Sequence, residues 1–167
     1  MSKPENLNDL YIDELKDLWS ANDQMLRCLK KLTTKAQDGK LKEMLTGSQE
    51  GIAKHTALLK ELLESNDEKV SKEHCKGMQG LVAEATKHIT EEAPAKGPVL
   101  DALMIAQYQR MTHYGIAGFG TAGAYAKALG KKDDVKALKL AVKEIYGSDA
   151  YMSQLAETSV NIEAKDA

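Results

Sequence analysis

Long apolar runs are missing from this 167-residue chain, and none approaches the ~18–20 residues of a membrane span. The opening Met1-Ser2-Lys3-Pro4-Glu5-Asn6 is polar and lacks the apolar centre of a signal peptide. There are only two cysteines, Cys28 and Cys75, with no metal-ligand spacing between them. Free thiols in a reducing cytoplasm are the simplest reading, each a buried structural residue and not a reactive one. Proline occurs three times and phenylalanine once, which argues against an all-β fold. Neither sign of charge dominates: 23 Lys and Arg stand against 25 Asp and Glu, a net of −2. No basic field is available for general nucleic-acid binding. No Ser-His-Asp order, phosphate-cradling glycine loop or His-Glu-x-x-His motif is present.

What the chain does have is helix-forming sequence. Hydrophobic residues make up 43% and charged residues 29%, enough for one globular domain with a real core. Apolar residues at 3.5–3.6 spacing predict a first long helix over about 7–36, with Leu7, Tyr11, Leu15, Leu18, Met25 and Leu29 inward. Asn6 or Asn8 is its expected cap, and Gly39 its expected end. A second helix is predicted over about 40–65, stopping at Asn66-Asp67. Residues 67–98 are too many for an ordinary loop and contain a short amphipathic stretch, 78–85. A third helix is expected over about 99–129, ending at Gly130, and a fourth over about 133–160, capped by Asp133 or Asp134. Residues 1–6 read as a tail, 7–160 as the helical domain, and 161–167 as a frayed end. Helix pair, long crossover, helix pair is the connectivity of a ferritin-like four-helix bundle.

Each apolar stripe is broken near its middle by polar residues. These are Asn22 in the first helix, His55 in the second and Asp149 in the fourth. In the third, Gln107 and Tyr114 share a face, with Thr112 and His113 beside it. A buried polar layer follows, because such midpoints fall at similar heights in a bundle. It can be a hydrogen-bonded layer, for instance His55 with Asp149, or a metal site. A dinuclear carboxylate centre needs Glu-x-x-His steps, and the histidines fail this: Ile52 precedes His55 by three residues and Arg110 precedes His113. The third helix also holds Gly115, Gly118, Gly120 and Gly123 within about two turns, each costing about 0.8–1.0 kcal/mol relative to Ala. Close helix approach is one reason for them. A small-molecule cavity is another, bordered by Gly115, Gly118, Tyr114, Tyr146 and Trp19, with Gly51 and Gly147 near its level.

Several segments resemble the YciE/YciF ferritin-like family, bacterial proteins linked to stress responses. They are Asp13-Glu14-Leu15-Lys16-Asp17-Leu18-Trp19-Ser20-Ala21, residues 75–85 of the crossover, and residues 99–106 and 113–121 of the third helix. The resemblance implies a rubrerythrin-like bundle, often dimeric, with glutamates that hold two metal ions. The chain departs from that pattern at Asn22, Gly51, Thr112, Gly115 and Ile145, where the resemblance implies lost ligands. Crowded carboxylates repel one another without a cation to neutralise them, so a scaffold that has lost its metal is free to lose them.

The expectation is an all-α, ferritin-like bundle: cytoplasmic, stress-associated, homodimeric by resemblance, and without a working di-iron centre. No cofactor is expected, and enzymatic activity is left open with the balance against it. One competing reading is a rearranged iron, manganese or zinc site built from Glu50, His55, His113, Glu144 and Asp149, acting on oxygen or peroxide. Another is a binding protein that uses the glycine-lined cavity for a small ligand. No nucleic-acid or membrane partner is expected.

Overall fold

In the computed structural model, residues 3–70 and 74–167 are described. Met1 and Ser2 of the expected tail, and residues 71–73 of the crossover, lie outside them. The fold is all-α: α1 (Leu7–Leu32), α2 (Gly39–Glu64), α3 (Lys76–Lys87), α4 (Pro98–Ala128), α5 (Lys132–Leu155) and α6 (Asn161–Lys165). No helix among the described residues is long and apolar enough to cross a membrane.

Local chemistry sets most of the boundaries. The Asn6 side chain accepts the Asp9 amide at 3.0 Å and caps α1. After α1 the chain tightens into a 3₁₀ turn, Thr33–Lys35. Gly39 does not close the first helix but opens the second, because Asp38 just before it accepts the Leu41 amide at 2.7 Å. Gly130, at φ +73°, ends α4 as expected. Neither Asp133 nor Asp134 caps α5. Lys131 stands at that position without a side-chain bond, and the two aspartates lie in the first turn, where they favour the helix dipole. Beyond Leu155 the expected fourth helix continues as a π turn, Ala156–Val160, with Val160 buried; part of the segment expected to fray then forms α6, which buries no residue.

Four long helices form the bundle. α1 packs against α2 and α4, α5 packs against α4, and α2 meets α5 along a sparser seam. Contacts at the two ends of the bundle fix the directions. Asp101, in the first turn of α4, accepts the amides of Gln37 and Asp38 at 2.9 and 2.8 Å. At the opposite end, Lys131 donates to Asn66 at 2.6 Å, and Tyr11 donates to Asp134 at 2.8 Å. α2 and α4 therefore run parallel, and the crossover must return along the whole bundle. It does so with α3, which lies on α1 and α4. This is the ferritin-like four-helix arrangement. The apolar core forms two clusters, one around Met25, Leu45, Met104 and Met111, the other around Tyr11, Leu15, Leu59 and Phe119. The bundle midpoint lies between them.

Candidate functional site

At that midpoint lies a cavity of about 320 Å³. All five positions at which the resemblance implies lost ligands line it: Asn22 from α1, Gly51 from α2, Thr112 and Gly115 from α4, and Ile145 from α5. Met25, Met44 and Met111 contribute soft apolar wall. The opening lies along the α2–α5 seam, where Gly47 and Lys54 are exposed and Glu144 and Ser148 are half-buried. The glycines leave space where side chains would fit. A Cβ at Gly47 or Gly51 would meet nothing within 4 Å, and at Gly115 only Ile145 Cδ1 at 3.9 Å.

The polar lining falls into three parts. Ser48 and Tyr108 bond each other through their hydroxyls at 2.9 Å. His55, 6% exposed, meets Glu144 Oε2 through Nε2 at 2.7 Å and packs edge-on against the Phe119 ring. Glu144 also receives Lys54 Nζ at 2.9 Å. The hydrogen bonds from Lys54 and then His55 hold the Glu144 carboxyl below its ordinary range. The third part is unsatisfied: Asn22 Nδ2 and Thr112 Oγ1 are buried and have no partner.

Other expected site residues lie elsewhere. His55 pairs with Glu144 and not with Asp149, which sits on the outer side of the α4–α5 contact with His113 (3.0 Å) and Gln109 (3.0 Å). Glu50 is exposed. Of the five residues read as a rearranged metal site, the fold unites only His55 with Glu144, and separately His113 with Asp149. The expected cavity border is also corrected. Gly115 lines the cavity, but Gly118 is filled from across the bundle by Leu18 and Glu14. Tyr146 and Gly147 are exposed, and Trp19 packs into the cluster around Tyr11.

Tyr114 belongs to a separate latch. Its hydroxyl donates to Asp17 at 2.7 Å and lies 3.0 Å from Cys75 Sγ. Cys75 caps α3, and its amide donates to Ser20 at 2.9 Å while its carbonyl accepts Gln24 at 3.1 Å. Burial pushes the Cys75 thiol and the Tyr114 phenol up. Both cysteines are buried and unpaired.

Sequence reasoning missed Ser48, Gly47, Lys54 and the three methionines as lining residues. Gly47 and Gly51 are four apart on one helical face, a signal that was available. The latch had no such signal, since residues 17, 75 and 114 meet only through folding.

The donor set can be weighed against a pair of cations. Ferritin-like dinuclear centres draw glutamates from four helices and histidines from two. This cavity offers one carboxylate and one imidazole, bonded to each other; Lys54 bonds the same carboxylate, and the other polar lining residues, Asn22, Ser48, Tyr108, Thr112 and Ser148, are neutral. Among the described residues, no group of three or more His, Cys, Asp or Glu is placed to share an ion. The residues present do not fit a dinuclear site.

Fold and cavity together define a ferritin-like helical bundle with a chamber at its centre. A family model described as a domain of unknown function (DUF892) matches residues 6–165, and the chain belongs to that family. Protein YciF of Escherichia coli (strain K12) is 31% identical over 163 residues, 97% of this chain and 97% of that one. The crystal structure of the E. coli stress protein YciF matches with a TM-score of 0.88, covering 95% of this chain and 99% of that chain. YcfI from Rhodopseudomonas palustris matches with a TM-score of 0.85 at 29% identity, covering 92% and 97%.

Proposed function

We propose that this protein is a stress-associated, YciF-like bundle that does not carry out di-iron oxidase chemistry. The observation that carries this reading is the composition of the central cavity. Asn22, Gly51, Thr112, Gly115 and Ile145 surround it with neutral groups, and its one carboxylate is held by Lys54 and His55. Such a wall has no excess negative charge for two cations to neutralise. The association with stress is supported by near full-length similarity to the E. coli stress protein YciF. The rearranged metal site finds less support, because Glu50, His113 and Asp149 do not line the cavity.

Elemental analysis of protein purified without chelator tests the proposal. Iron, manganese and zinc are expected well below one atom per chain. Near-stoichiometric metal that disappears in a His55→Ala variant would overturn it. We also propose a cytoplasmic homodimer. Unpaired thiols at Cys28 and Cys75 support the compartment, and exposed Leu140, Tyr146 and Tyr151 on α5 support the association.

A further inference from the structure

We infer that the central cavity binds a small uncharged molecule with an apolar body and one hydrogen-bond-accepting oxygen. The inference rests on the cavity holding no pair of cations, a reading that elemental analysis tests separately.

Three observations converge on it. The first is space made by sequence: a side chain at Gly51 or Gly115 would fit, so neither glycine is required for close packing there. At about 320 Å³ the cavity has the volume of about ten waters, at the lower end for small-molecule sites. The second is a pair of unmet donors. Asn22 and Thr112 are 6% and 3% exposed, both line the cavity, and Asn22 Nδ2 and Thr112 Oγ1 have no partner. Buried polar atoms are rarely left so, and a rotation of either side chain toward the cavity would let it donate to an incoming carbonyl oxygen. The third is the distribution of polarity. The donors stand on α1 and α4, the wall opposite the α2–α5 opening. Met25, Met44 and Met111 supply adaptable apolar surface. The only charges, on Lys54 and Glu144, bond each other at the mouth. A ligand entering there would pass a neutralised pair, bury its apolar body against thioethers and place its oxygen at the far wall. A charged ligand would find no counter-ion inside.

The probe is acetophenone, compared with α-methylstyrene, which has the same shape with a methylene in place of the oxygen. Both are titrated into chelator-treated protein while the methionine methyl resonances are followed by NMR. Acetophenone should shift Met25, Met44 and Met111 and bind about tenfold tighter than α-methylstyrene, the discrimination expected of one buried hydrogen bond. Thr112→Val, which keeps the shape, should bring the two affinities together. Gly115→Leu should abolish binding of both, and Gly51→Leu provides the same block if the first variant does not fold. Equal affinity of the two probes for the parent protein would overturn the inference. So would silence of all three methyls at saturating probe, or unchanged binding in a folded, filled variant. Because metal is removed beforehand, failure here says nothing about metal content, and metal found by elemental analysis says nothing about this titration.

Discussion

His55 and Glu144 meet at 2.7 Å across the α2–α5 seam, where the same carboxylate also receives Lys54 of α2. The imidazole is buried and the carboxylate half-exposed, so the two partners are not equivalent. Glu144→Leu removes the partner of a buried ring nitrogen and should cost about 1–3 kcal/mol. Lys54→Met breaks only an exposed ion pair and should change stability by less than about 1 kcal/mol. Urea denaturation of the two variants checks the contrast.

Glu14 lies half-buried beside Gly118 and near Asp17. Burial, and then the Asp17 charge, push its carboxyl up to about 7. The folded chain therefore holds a proton there that the unfolded chain has released. The stability from this group is complete below the ordinary carboxylate range and declines as pH rises to about 7. Glu14→Gln should match the parent at pH 4 and exceed it at pH 8 by on the order of 2 kcal/mol. Melting curves across that range decide it, and an equal difference at both ends would contradict the assignment.

Three glycines of α4 should respond with different signs. Gly120→Ala faces open space and should stabilise by about 0.8–1.0 kcal/mol through helix propensity alone. Gly115→Ala should stabilise at least as much, since its methyl also enters the cavity. Gly118→Ala should destabilise by about 1–3 kcal/mol, because its methyl collides with the buried Leu18. Thermal unfolding of the three proteins gives the order directly.

Tyr114→Phe deletes the hydroxyl shared by Asp17 and Cys75 and should loosen the crossover before the bundle. The expected cost is about 1–2 kcal/mol. Hydrogen exchange should accelerate at the amides of α3 more than at those of α2, which the latch does not touch. Uniform acceleration would mean that α3 opens only with the whole domain.

The repeating stripes of Leu and Met, the long crossover over 67–98 and the cap at Asn6 were enough to read the ferritin-like arrangement. Helix formation and connectivity depend on local spacing and chain length, and both are properties of the sequence. The five positions that the resemblance marked as lost ligands line one cavity. The partners of the polar groups were not legible in the sequence. Each residue turns a helix by about 100°, so periodicity names a face but not the neighbour opposite it. Glu144 reaches His55 and Asp149 reaches His113 because of how α5 is rotated and shifted against α2 and α4. That docking also carried Tyr114 out to the crossover and filled Gly118 with Leu18, while leaving Gly115 open. Local periodicity was sufficient to make these helices and their order. Whether a given polar atom or glycine ended in a bond, a contact or a space depended on the rigid-body packing of helices far apart in the chain, an energy summed over many weak contacts that no single segment contains.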